Sequence, residues 1–246
     1  MAAPTQRRRP IPPSKPKMWV DPCGVGLSQP LDHDGTDYHQ LDEMLTDQQM
    51  LTNVLQMALN ALTFVDSFKH EYVQDTFQQD FMKHHHEWKS HTYDWLPPSD
   101  FPVPKSLGIK INHSHLQNIQ MDVFLRDAYR YLQIMAVALE QVEWDKGNNG
   151  NPAYQENFRK VMQRLRLVRI YPVLCEVRTA MLERKVAFHP DVDRDIMRDE
   201  FRDIDSDTKR DLRDWIIFRD YMIVLEYVIE VAKHFVDNPN RIPPSS

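Results

Sequence analysis

From Leu51 onward, apolar residues recur at helical spacing. Leu51, Val54, Leu55, Ala58, Leu62 and Val65 fall at i, i+3, i+4 and i+7, the single stripe of an amphipathic helix. No glycine occurs between Thr36 and Leu107 and no proline between Thr36 and Leu96, which suits a helix over that span. Beyond Tyr72 the stripe thins into "QDTFQQDFMKHHHEWKSHTYDW", polar but helix-compatible and studded with separate aromatics. "LPPSDFPVPKSLG" then stops any helix with its four prolines. Met121, Phe124, Leu125, Ala128, Leu132, Met135 and Leu139 predict a second helix over about 115–145, closed by "DKGNNGNP". Phe158, Val161, Leu165, Val168 and Cys175 share the stripe of a third, over about 154–187, with Pro172 inside it as an expected kink. Trp215, Phe218, Met222, Leu225, Ile229 and Ala232 mark a fourth over about 208–237, widened by Ile216 and Ile223. No segment alternates with the period of a strand. The pattern predicts an all-α protein of four long helices.

Connection lengths order those helices. A 30-residue helix is about 45 Å long, so a loop joining parallel neighbours needs at least about 13 extended residues. The connection between the second and third helices is too short, which makes that pair antiparallel. The first connection, and the charged third one over about 188–207, are long enough for crossovers. Two crossovers around one tight turn give an up-up-down-down four-helix bundle, the arrangement of growth-hormone and cytokine bundles. The first connection is roomy if the first helix ends near Tyr72 and barely sufficient if residues 73–95 continue it.

Composition places boundaries around this bundle. Residues 1–36 hold seven prolines and the basic run "QRRRP", and predict a flexible Pro/Arg-rich arm. The bundle then occupies 37–238, and 239–246 form a flexible tail. A net charge of −6 over 246 residues does not suggest a nucleic-acid partner. The most apolar window, "MIVLEYVIEVA", carries two glutamates and is too short to span a bilayer. The basic start lacks a following apolar segment, so as it stands it does not read as a secretory signal. Arg7–Arg9 suit a polyanion contact, although a solubilising tail is the simpler reading.

The candidate chemistry is thin. In "HHHEWKSH" His86 and His91 are five apart, whereas the zinc motif needs an i, i+4 pair on one helical face. No Glu-x-x-His occurs, so a di-iron bundle site is not expected. "DVDRD" and "DIDSD" resemble the start of a calcium loop, but Ile196 and Thr208 stand where its glycine belongs, and a hydrated, mobile loop is the better reading. With six glycines and no phosphate-loop, dinucleotide or serine-elbow pattern, no catalytic, cofactor or metal site is assigned. Asn112 opens an "NHS" glycosylation sequon just before a helix. The aromatics Phe81, Trp88, Tyr93, Trp95 and Phe101 lie outside the core stripe. They either cover the end of the bundle or serve as receptor anchors, since a few aromatic and arginine side chains dominate such interfaces. "TKRDLRDW", with Lys209, Arg210 and Trp215, is the second candidate surface.

This layout resembles the long-chain helical cytokines of the interleukin-6 type. In the leukaemia-inhibitory-factor branch, cysteines before the first helix bond to cysteines on the third, and Cys23 and Cys175 occupy those places here. The "WVDPCG" arm and the histidine-rich end of the first helix look most like the insect unpaired-type ligands. The Phe-x-x-Lys pattern that some vertebrate members carry at the start of the fourth helix is absent, Trp215 being the nearest aromatic. The resemblance implies a secreted glycoprotein, stapled by Cys23–Cys175, that binds a cell-surface receptor and activates JAK/STAT signalling without catalysis or cofactor. A cytoplasmic helical adaptor with both thiols reduced is the alternative. By the residues alone, Cys175 is equally a small core residue and Cys23 a free thiol.

Overall fold

A computed structural model describes residues 10–24, 45–148, 161 and 169–242. The described residues hold helices and no strand: α1 Asp47–Phe77, α2 Phe81–Trp88, α3 His113–Asn118, α4 Met121–Asn148, α5 Tyr171–Glu183, α6 Asp199–Arg202 and α7 Asp207–Asp237. None of these helices is long and apolar enough to cross a membrane.

The helix ends follow local chemistry. Thr46 opens α1 with a capping box, its hydroxyl accepting from the Gln49 N–H while the Gln49 side chain reaches back. At the other end Gln78 takes the left-handed conformation, φ 54°, and donates its N–H to Gln74 O. The first helix therefore stops at Phe77. Asp80 starts α2 by accepting from the N–H groups of Met82 and Lys83. The span expected as one second helix is split, because Ile119 is extended and separates α3 from α4. Pro172 sits in the first turn of α5, directly after the π-helical residues 169–170, so the helix is irregular where the proline removes an N–H. Phe158, Leu165 and Val168 lie outside the described residues.

Helix α1 packs against α5 and α7, and α4 packs against the same two. Arg184, just past α5, pairs with Asp47 at the start of α1 (2.6 Å) and Asp122 at the start of α4 (2.7 Å). Phe124 near the start of α4 meets Phe235 near the end of α7, ring centroids 6.2 Å apart. At the opposite pole, Tyr72 of α1 lies against Phe218 of α7 (5.3 Å), and Arg213 of α7 binds Asp145 of α4 (2.7 Å).

Two helices are buried on every side, α4 over 131–142 and α7 over 213–225. An amphipathic stripe alone would leave their outer faces wet. Long connections cover them instead. Phe101 of the 89–112 connection lies against Tyr131 (4.9 Å) and Tyr227 (4.6 Å). Lys105, itself buried, pairs with Glu226 and Glu230, and the N–H groups of Gly108 and Ile111 donate to the same two carboxylates. The connection 184–206 is exposed over most of its length, as its charge suggests, but it is anchored by Val192, Arg194 and Met197, which are buried. Past α7, a short turn at Pro239–Arg241 is tied back where the tail was expected to be flexible, through Arg241 Nη1 donating to Gln117 O (2.8 Å).

Candidate functional site

The first candidate surface is an aromatic head where α1, α2 and α7 meet. The turn at Gln78 folds α2 back, so that Phe81 meets the Trp215 ring edge-on (5.8 Å) and His84 lies between Phe77 (4.0 Å) and Trp215 (5.0 Å). Trp215 is fully buried, and Phe81 and Trp95 nearly so, while Trp88, Tyr93 and Phe101 are half-buried and pack on the core. Tyr93 and Trp95 close over Phe201 (4.8 and 5.9 Å). Phe81, Trp88, Tyr93 and Trp95 cover the end of the bundle, whereas Phe101 lies on its flank against Tyr131 and Tyr227. The reason is the reversal at Gln78, which a helical period cannot anticipate.

The start of α7 departs from expectation in the same way. Arg210 is buried, with Nη1 donating to Ile204 O and the guanidinium paired with Asp207. Only Lys209 of that trio stays exposed. Deeper in α7, Arg213 bridges Asp145 (2.7 Å) and Asp214 (2.9 Å) and donates to Phe201 O (2.8 Å). Burial pushes the Asp145 carboxyl up, against the pull of Arg213. Arg219 pairs with Asp220 and donates to Trp88 O (2.8 Å) and His91 O (2.7 Å). Burial also pushes the Asp220 carboxyl up, to about 6. Buried charges of this kind persist only when paired. Sequence reading passed over them, although the repeated Arg-Asp dipeptides at 213–214 and 219–220 inside an apolar stripe were a visible signal.

A further feature, not expected from the sequence, is a clasp around the arm. Residues 15–24, within the segment expected to be flexible, dock on α4, α5 and the 184–206 connection. Trp19 is fully buried and donates its indole N–H to Val192 O (2.7 Å). Gln133 of α4 holds the same place, donating to Trp19 O (3.2 Å) and accepting from the Val192 N–H (3.3 Å). Arg194 lies over the Trp19 ring (5.3 Å) and donates to Lys15 O (2.9 Å) and the buried Glu140 (2.6 Å). Lys15 adds a second cation to Glu140 (3.3 Å), and Lys17 pairs with Asp193 (2.6 Å). Asp21 then meets Arg178 (3.4 Å), and the sulfurs of Cys23 and Cys175 lie 2.16 Å apart, at disulfide distance. Cys175 is half-buried at the edge of α5 and is not a member of the core stripe.

The remaining candidates are separate. Asn112 is exposed and caps α3, its Oδ1 accepting from the Ser114 N–H (2.9 Å). Asp191 and Asp193 are engaged with Gln133 and Lys17, and among the described residues no three His, Cys, Asp or Glu side chains come together as a metal site. A cavity of about 330 Å³ opens between Pro10, Ile11, Gln141, Asp145, Asp199 and Arg202, with its one deep carboxylate committed to Arg213. Arg7–Arg9 lie outside the described residues. No known protein family, no curated protein and no solved structure matches this chain.

Proposed function

We propose that the chain acts by binding: a secreted, cytokine-like helical ligand that engages a cell-surface receptor and activates JAK/STAT signalling. The observation that carries the reading is the sulfur pair, which ties an arm preceding α1 to α5 as the cytokine resemblance implies. A bond there belongs to an oxidising compartment. The pattern of meeting ends supports the up-up-down-down arrangement. The starts of α1 and α4 lie together with the ends of α5 and α7, and the end of α1 lies with the start of α7. Within this reading, Lys209, Trp88 and Tyr93 retain the surface a receptor could touch, whereas Phe81, Trp95, Arg210 and Trp215 hold the head together. A glycan on Asn112 Nδ2 would leave Oδ1 free to keep capping α3.

Two measurements test the proposal. Intact mass of protein from its natural source should rise by about two daltons on reduction, one hydrogen per sulfur. Free thiols there would instead point to the cytoplasmic adaptor. Purified chain added to cells should raise STAT phosphorylation and capture a receptor ectodomain, and Lys209→Glu with Tyr93→Ala should weaken capture without unfolding the protein. A chain with the sulfur bond formed that binds no cell surface would sink the ligand reading.

A further inference from the structure

We propose that α2 is an acid-released latch: protonation of His84 and His85 frees Phe81–Trp88 from the head of α7 and uncovers Trp215 and Phe77. The inference does not depend on the receptor reading.

The latch has few fastenings, and the histidines sit among them. His84 is 2% exposed and fills the space between Phe77 and Trp215. Its Nδ1 faces Gln79 Oε1 at 3.3 Å, and its buried Nε2 finds no partner among the described residues. His85 is half-buried, lies parallel to the Phe81 ring at 6.1 Å, and its buried Nδ1 is likewise unpartnered. The far end of α2 is tied by Arg219, through Trp88 O and His91 O. A neutral imidazole tolerates an unmet lone pair. An imidazolium turns that nitrogen into a buried N–H with no acceptor, beside the Arg219 cation. The rings around His84 attract a cation through their faces, but they supply no acceptor.

The surrounding charges decide the sign. On α2 and just past it stand Lys83, His86, Glu87, Lys89 and His91. From α1, Lys69 lies 5.1 Å over the Phe81 ring and His70 4.8 Å from it. From α7 come Arg219, which is paired with Asp220, and Glu226, which is paired with Lys105. Glu87 favours a charged His84 and Glu226 a charged His85, yet burial outweighs both and holds each imidazole below its ordinary 6.5. Docked α2 therefore carries neutral rings, while released α2 takes up protons once the pH drops below about 6.5. Docking is at full strength above that pH and weakens as the pH falls. Asp220 opposes this. Its raised carboxyl takes a proton more readily in the buried state, so its protonation favours docking in the lower part of the window. Two imidazoles gain protons on opening against one carboxyl that loses its own, so opening takes up protons on balance.

Amide hydrogen exchange on the full chain tests the latch. Protection factors for Met82–Trp88, measured against those of α4, should fall as the pH drops from about 6.5 to about 5.5, by up to about tenfold per pH unit, the slope of one linked proton. His84→Gln with His85→Gln should abolish the fall, and Asp220→Asn, which removes the opposing proton, should steepen it. Should the double variant fail to fold, His85→Gln alone must still flatten the slope, because that side chain is half-buried and tolerates replacement. A flat profile in the unaltered chain, an equal loss in α4, or an unchanged fall in the variants would overturn the proposal.

Discussion

Trp19 stands in a stretch with no periodic signal, between prolines and a glycine, yet its side chain is fully buried. Its stability contribution follows from two separate things, the apolar ring and one hydrogen bond. Trp19→Ala should cost about 3–5 kcal/mol, the range for emptying a large aromatic from a packed site. Trp19→Phe keeps most of the ring contact but leaves Val192 O unmet, and should cost about 1–3 kcal/mol. Denaturant midpoints at unchanged slope would separate the two losses. Equal losses would mean that the hydrogen bond carries the site and the ring does not. Burial of a lone aromatic in a proline-rich segment is set by residues more than a hundred positions away, Gln133 and Val192, so no local pattern reports it. The buried pairs at Arg213 and Arg219 are different, since their position inside an apolar stripe was readable and only their meaning was missed.

At the scale of elements, caps and reversals decide the architecture more than the stripes do. Gln78 holds a left-handed backbone that glycine adopts without strain, so Gln78→Gly should stabilise the fold by about 1 kcal/mol. Thr46→Ala removes the capping box and should cost about 0.5–2 kcal/mol. Thermal midpoints moving in opposite directions check both. A loss from Gln78→Gly would mean that the Gln78 side chain's own bond to Asp75 O outweighs the strain. The reversal at Gln78 also explains which elements were legible. Helices α1, α4 and α7 stand close to where the apolar spacing puts them, because a stripe registers burial along one regular element. For Phe81 and Trp95 the pattern left open whether they cover the bundle or anchor a receptor, because their burial comes from contacts between elements, where the 3.6-residue period ends. Trp215, on the stripe of α7, is buried as that stripe implies. Pro172 was legible for the opposite reason: a proline inside a helical stripe signals a local irregularity, and here the π-helical residues 169–170 pass into α5 just before it.

At the scale of the whole molecule, the arm is held twice, by the Trp19 clasp and by the Cys23–Cys175 pair. A cross-link between residues 152 apart in sequence constrains a long loop in the unfolded chain, and the chain-entropy model values this at about 5 kcal/mol. The clasp acts differently, because it stabilises the folded state through contacts along residues 15–21. These two effects share one segment and so cannot be independent. Once Cys175→Ser frees the far end, the arm must dock by the clasp alone, at the full conformational cost of ordering it. Once Trp19→Ala empties the clasp, the bond still holds Cys23 at α5 but leaves the stretch before it loosely packed. If residues 15–24 dock as one cooperative unit, the arm is already largely undocked in either single variant, and the second substitution removes less than it did alone. The double variant should therefore lose measurably less than the sum of the single losses, with a coupling of about 1–3 kcal/mol, the range for residues sharing one contact network. Additive losses would mean that the cysteine pair acts only on the unfolded chain and the clasp only on the folded one. The arm would then be two independent anchors, and Pro22 no more than a spacer between them.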